Sequence, residues 1–149
     1  DDQRRAGLVA HPLQPLAGLR GQAIAAEEKR LPFERVTSVA DLESKIKSAG
    51  KPVMLDFYAD WCVSCKEMER FTFSDPAVQA KLAGFTLLQA DVTANSAEDK
   101  ALLAKFKLFG PPGIIFYDAN GQEIKTARIV GFQNAGQFQK SLQQLGTTG

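Results

Sequence analysis

Two cysteines, Cys62 and Cys65, are the residues in this chain best suited to chemistry, and they are its only two. The apolar run Val53 to Tyr58, bounded by Lys51-Pro52 before it and Asp60 after it, reads as a buried strand, and the residues beyond it read as a helix to about Phe71. Cys62 therefore falls where strand gives way to helix, and Cys65 falls one turn further on the same face. Free backbone N–H groups and the helix dipole stabilise an anion at such a point and lower a cysteine pKa below its free value of about 8.5. Cys62 is expected to be the exposed, attacking sulfur. Cys65 is placed to attack the mixed disulfide that Cys62 forms and so release the partner. A zinc site needs four ligands, and the only other soft ligand in the chain is His11, far away in sequence. A structural bridge closing so small a loop gains little chain entropy. Redox chemistry, with no cofactor beyond the cysteine pair itself, is the reading that remains.

The rest of the composition is that of one globular domain. Hydrophobic residues make up 44% and charged residues 23% of 149, with a formal charge of +1, so no basic stripe invites nucleic acid. No run of about eighteen apolar residues is present to span a membrane. The first residues are Asp-Asp and not Met, which suggests a processed protein or an excised piece. A lone reactive pair suits either the cytosol or an oxidising space.

The elements that must position the cysteines can be taken in order. Residues 1 to 30 are broken by Pro12, Pro15, Gly18 and Gly21 and read as a linker or flexible segment, with the domain proper over 31–149. A short strand is expected from Phe33 to Val36, then a helix from Val39 to Ser48 capped by Ser38, with Leu42 and Ile46 inward and Gly50 as its stop. Ser74-Asp75-Pro76 opens a helix through Leu82, closed by Gly84. Thr86 to Val92 reads as a second buried strand. Ser96 caps a helix from Ala97 to about Lys107 with Leu102, Leu103 and Phe106 inward. Phe109-Gly-Pro-Pro-Gly is a rigid turn into a strand over Ile114 to Tyr117. Asn120-Gly121 predicts a hairpin into a strand from Ile124 to Val130. Asn134 starts a last helix with Phe138, Leu142 and Leu145 inward, and 146–149 reads as tail. Alternation of this kind gives an α/β fold, a mixed central sheet flanked by helices on both faces.

The string Trp61-Cys62-Val63-Ser64-Cys65-Lys66, with Asp56 six residues before the first cysteine and a proline turn before an apolar strand, resembles the thioredoxin superfamily. More narrowly, Tyr58 through Glu69, continuing through Thr72-Phe-Ser-Asp-Pro-Ala-Val-Gln, Leu87-Leu-Gln-Ala-Asp-Val-Thr-Ala-Asn and Asp118-Ala-Asn-Gly-Gln-Glu, is similar to the C-terminal periplasmic domains of the DsbD family of thiol:disulfide interchange proteins. The resemblance covers about residues 33 to 145. It implies a thioredoxin fold in a periplasmic domain of a bacterial inner-membrane protein. Such a domain takes electrons from the membrane-embedded domain of the same protein and passes them to its N-terminal periplasmic domain, which reduces other periplasmic proteins. Two positions depart from the pattern: Pro111-Pro112-Gly113 stands where Leu-Pro-Thr is common, and Ser64 where Ala is common.

The resemblance also assigns roles. Asp56 interrupts a strand whose neighbours Val53, Leu55 and Phe57 are apolar, so an ionised, unpaired carboxylate there would be costly and its pKa should be raised. The alternative is a carboxylate tied to a lysine. In the thioredoxin pattern this acid lies beneath the cysteine pair and exchanges a proton with Cys65. Glu69, four residues after Cys65, lies about 10 Å along the helix axis from Cys62, so its residues alone describe an exposed helix carboxylate. The resemblance makes it a second acid tuning the pair. Pro112 is implied to follow a cis bond and, with Pro111, to offer a partner's extended segment an unpaired backbone edge. Trp61 and Tyr58 either shape the rim of the site or cap the core.

Direction of electron flow has a physical side. Strong oxidants stabilise the thiolate of their reduced state. Here no histidine lies between the cysteines, and Asp56, Asp60, Glu67 and Glu69 bring negative charge close, so the pair should act as a reductant. Competing readings are a free-standing thioredoxin-like reductase or cytochrome c maturation reductant, and an interaction module whose cysteines are incidental. A shuttle that meets its partners through one face is most simply a monomer.

Overall fold

A computed structural model describes residues 30–148, so the expected linker and His11 lie outside the described residues apart from Arg30. Five strands form one sheet: β1 (Glu34–Arg35), β2 (Val53–Tyr58), β3 (Thr86–Asp91), β4 (Gly113–Tyr117) and β5 (Ile129–Val130), in the spatial order β1-β3-β2-β4-β5. The strand that precedes the cysteines is the middle one. It runs parallel to β3, with Asp56 opposite Gln89, and antiparallel to β4, with Phe57 opposite Gly113.

Side chains alternate across this sheet and feed two separate clusters. Leu55, Phe57, Leu88, Ala90 and Ile115 pack with Leu42 and Ile46 of α1 (Val39–Ala49) and Leu102 of α4 (Ala97–Lys105). Met54, Leu87, Ile114 and Phe116 pack on the other side with Val78 and Leu82 of α3 (Pro76–Leu82) and with Phe138, Leu142 and Leu145 of α5 (Ala135–Thr148). Met54, Leu55, Phe57 and Phe116 are wholly enclosed. Each such side chain contributes about 1.5–3 kcal/mol of transfer free energy, which is why β2 reads as an unbroken apolar run except at Asp56.

The caps follow the sequence signals. The Ser38 hydroxyl accepts from the Asp41 N–H at 3.0 Å, and Gly50 closes α1 in the left-handed region at φ 66°. Asp75 accepts from the N–H groups of Ala77 and Val78 with Pro76 in the first turn, and Ser96 and Asp99 form a reciprocal capping box.

Four elements differ from expectation. β1 is only two residues long, because Phe33 turns out of the sheet to meet Phe73 edge-on. After Tyr117 the chain makes a three-residue loop, Ala119 to Gly121, with Gly121 at φ 83°, and returns through a single bridge between Tyr117 and Glu123. The expected strand from Ile124 to Val130 breaks into a 3-10 turn (Lys125–Ala127) and the short β5. Lys125 to Arg128 lacks an apolar alternation, and Arg128 turns in to pair with Glu123 and donate to the Phe106 carbonyl. The last helix continues through Thr148, into the residues expected to be tail.

The fourth difference bears on the site. The helix carrying the cysteines is α2 (Val63–Glu67), and it widens at once into a π-turn over Met68–Thr72, closed by the Phe73 N–H on the Met68 carbonyl at 2.7 Å. Such turns cluster at functional sites. This one is tied to the segment after β5: the buried Thr72 hydroxyl donates to the Gln133 carbonyl at 2.5 Å, and the Gln133 N–H points at the Met68 sulfur at 3.3 Å. Thr72→Val keeps the shape and strands that carbonyl, so it should cost about 1–3 kcal/mol of stability. Urea unfolding checks this, and a variant as stable as the parent would show that the tether is not formed.

Candidate functional site: a dithiol pair over a buried acid

Cys62 and Cys65 are joined as a disulfide, their Cα atoms 5.3 Å apart. Cys62 is the N-cap of α2, with extended backbone, and its Sγ accepts from the Cys65 N–H at 3.1 Å. This is the local contact that stabilises a thiolate on the first sulfur once the bond is opened. The Sγ of Cys65 lies 3.7 Å from the carbonyl oxygen of Phe57, within reach of a thiol that would donate to it in the reduced state. The Cys62 N–H is held by the Ala59 carbonyl at 3.0 Å, which ties the loop after β2 to the helix start. One expectation needs correction. Cys62 is not an exposed residue: it is 7% accessible against 3% for Cys65 and belongs to the core cluster with Phe57 and Ala59, while its neighbours Trp61 and Val63 take the exposed positions.

On β2, one residue before the carbonyl that Cys65 touches, Asp56 is 4% accessible. Burial pushes its pKa from the ordinary 3.8 up to about 8, opposed by a hydrogen bond from Gln89 and helped by the charge of Glu69. Its partner is not a lysine: the Gln89 side-chain amide, itself 8% accessible and directly opposite on β3, donates to Asp56 Oδ2 at 3.3 Å. Glu69 is exposed on the π-turn, as its residues alone suggested. Its field nevertheless raises the pKa values of Asp56, Tyr58 and Lys66, so electrostatically it belongs to this group.

The rim is a polar knot with aromatic members. The Tyr58 hydroxyl donates to Asp60 at 3.1 Å and accepts from Lys66 Nζ at 3.2 Å, and burial leads the rise in its pKa. Trp61 is 60% exposed, with its indole N–H fixed on the Thr93 carbonyl at 3.1 Å. The Thr93 hydroxyl accepts from the Asp60 N–H and donates to Asp91, so the segment before Cys62 is anchored to the end of β3. The Pro111-Pro112 bond is cis, and Pro112 leads directly into Gly113, opposite Phe57, at the cysteine end of the sheet. The Pro112 carbonyl is taken by the Gly131 N–H at 3.2 Å, so among the described residues the edge expected at Pro112 keeps only the Pro111 carbonyl without a partner. Gly113 has a steric reason: a Cβ there would meet Leu108 Cδ1 at 2.9 Å.

Residues 40–146 match the thioredoxin-like domain family, which is most of the chain. The chain belongs to the thioredoxin-like domain family. It is 56% identical over 142 residues to the thiol:disulfide interchange protein DsbD of Ralstonia nicotianae, covering 91% of this chain and 23% of that protein. It is 50% identical over 141 residues to DsbD of Pectobacterium atrosepticum, covering 93% and 24%. Thus it spans about a quarter of the length of these relatives. Among solved structures it resembles the oxidised C-terminal domain of DsbD from Neisseria meningitidis, with TM-score 0.63 and 38% identity, over 74% of this chain and 98% of that one. A thioredoxin from Thermus thermophilus, 24% identical with TM-score 0.61 over 77% of this chain and 88% of that one, shares the fold. A thioredoxin-like domain of this kind, with the Cys62–Cys65 pair intact, is a thiol:disulfide oxidoreductase domain.

Sequence reasoning brought the cysteines, Asp56, Tyr58, Trp61 and the two prolines to one end of the sheet, and they are there. It gave Gln89 no role, although a lone amide inside the apolar run Leu87 to Ala90 was a visible signal. It also left Lys66 and Thr93 unassigned, because their contacts span 8 and 32–33 residues of sequence.

A pH dependence follows from Asp56. The fold holds its proton up to about pH 8 while the unfolded chain loses it near 3.8, so the stability owed to the neutral acid is full below about 3.8 and is lost as pH rises to 8. In the oxidised protein, where no thiol titrates, Asp56→Asn should gain on the parent by roughly 2–5 kcal/mol between pH 4 and 8. Urea unfolding across that range measures it, and a difference that stays flat with pH would refute the burial argument.

Proposed function

We propose that this chain is a periplasmic electron relay. It accepts two electrons from the membrane-embedded domain of a DsbD-type protein and passes them to that protein's N-terminal periplasmic domain. Its closeness to DsbD over about a quarter of that protein's length supports the reading. What carries it is a capped cysteine pair at the end of a strand that holds, one residue before the carbonyl Cys65 meets, a buried acid whose pKa is pushed up to about 8.

In the donating half-reaction the Cys62 thiolate attacks a partner disulfide, and the partner's second sulfur leaves as a thiolate. Cys65 then gives its thiol proton to ionised Asp56, attacks Cys62 Sγ, and the partner's remaining sulfur departs. One disulfide is formed and one is reduced. In the accepting half-reaction the order reverses, and protonated Asp56 returns the proton to the leaving Cys65 sulfur. Glu69 helps to hold the Asp56 pKa high. The open Pro111 carbonyl, Pro112, Trp61 and Tyr58 form the wall against which a partner's extended segment lies.

The reductant direction is supported by the acids near the helix start and by the absence of a histidine between the cysteines. Asp56 adds no charge below its pKa, so Asp60, Glu67 and Glu69 carry that argument. Insulin-disulfide reduction should be lost in Cys62→Ser. Cys65→Ala should accumulate a mixed disulfide with the N-terminal partner domain on non-reducing gels. The Cys62 thiolate absorbance should titrate nearer thioredoxin's value of about 7 than DsbA's of about 3.5, and a midpoint below about 5 would overturn the assignment as reductant.

A further inference from the structure

Asp56 must be ionised in one half-reaction and protonated in the other, so whatever touches it inside the sheet must tolerate both forms. Its one hydrogen-bond partner among the described residues is Gln89, facing it across the parallel β2–β3 pair with Nε2 at 3.3 Å from Oδ2, and both residues are buried. A side-chain amide does not titrate and carries a donor and an acceptor on the same short fork. With N–H forward it serves a carboxylate, and turned over it accepts the O–H of the acid. A lysine in its place would serve only the ionised form. An apolar residue would serve neither and leave the carboxylate to bear its full desolvation.

We propose that Gln89 is a positioning residue for proton exchange in this site, an ambivalent partner that lets Asp56 cycle its proton in place without being locked in either state. The inference rests on the role given to Asp56 above. The other titratable groups around the pair are the Cys65 thiol, through the Phe57 carbonyl, and Glu69 on the π-turn, whose charge reaches Asp56. Tyr58 and Lys66 face Glu69 from the rim. None of these donates a hydrogen bond to Asp56, so the amide is the group in direct contact whose chemistry can be changed without touching the cysteines.

The step to measure is resolution. One equivalent of 5,5′-dithiobis(2-nitrobenzoate) added to the reduced chain releases one thionitrobenzoate on attack by Cys62. It releases the second when Cys65 closes the disulfide, and the rate of that second release against pH reports the base that accepts the Cys65 proton. The parent profile should carry a midpoint near the Asp56 pKa of about 8. Gln89→Lys should move it down and Gln89→Met up, each by about one pH unit or more, since one stabilises and the other abandons the carboxylate. Profiles that overlay the parent, or that shift in the same direction, would overturn the proposal. Asp56→Asn separates the two levels. If that variant keeps the parent midpoint, the acid/base role of Asp56 itself fails. If it loses the midpoint while both Gln89 variants retain it, only the role of Gln89 fails. Should the Gln89 variants not fold, the parent still decides: its Gln89 side-chain amide resonances should titrate with the same midpoint as the Asp56 carboxyl carbon, and resonances that stay flat through that range would refute the inference.

Discussion

The structure turns on a carboxyl group in a place built to exclude one. β2 is the central strand of a sheet covered by helices on both faces, so every side chain it bears is driven toward the interior, and five of its six residues are buried. An ionised carboxylate there forfeits hydration that a single amide contact does not replace. The cheaper solution is to keep the proton, and that solution holds an acid with a pKa of about 8 on the strand that leads into the cysteine pair. Stability and chemistry oppose each other at this residue, as expected where a site is cut into a core.

Everything else in the site can be traced to the position of that strand. The end of β2 delivers three things in succession: the Asp56 carboxyl, the Phe57 carbonyl that meets Cys65, and Ala59, whose carbonyl fixes the Cys62 N–H. β3 and β4 flank it, so their ends supply the remaining walls, Thr93 with Asp91 on one side and Pro111-Pro112 on the other. The helix is then short before it widens. The π-turn brings Met68 and Thr72 into the core together, and both side chains meet Gln133, so the helix bearing the cysteines is clamped to the sheet a few residues after its start.

Much of this was legible in the residues, and the parts that were not share a cause. Helix starts and stops are local signals, and Ser38, Gly50, Asp75-Pro76 and Ser96 act where the sequence places them. The cysteine spacing and the break in apolar pattern at Asp56 are local too. What escaped was set by distant neighbours. The π-turn is secured by Gln133, more than sixty residues away. The loss of a full strand after Ile124 follows from Arg128 reaching Glu123 and the Phe106 carbonyl. The raised pKa of Asp56 was expected, but the only partner weighed for it was a lysine, and strand register supplied an amide. The burial of Cys62 was missed for a related reason: helix-start geometry alone says where a residue sits, but not that it joins the core cluster with Phe57 and Ala59.

The burial of Cys62 bears on how the proposed relay would distinguish partners. With Cys62 only 7% accessible and Trp61 and Val63 exposed beside it, a small disulfide and a protein disulfide do not meet the same site. In the proposed relay a protein partner would cover apolar surface on the rim and place a backbone N–H against the Pro111 carbonyl, and this contact energy would offset the ordering needed to bring its sulfur into line with Cys62. A free small disulfide brings little of that. Both half-reactions of the proposed relay use the same sulfur, so its two partners would have to use the same face in turn and could not be bound there together. A rim of a few exposed apolar groups, with its polar atoms already satisfied among Tyr58, Asp60, Lys66 and Thr93, favours brief encounters over a lasting complex. For a carrier that must release one partner before meeting the next, weak binding at an exclusive face is the arrangement the chemistry requires.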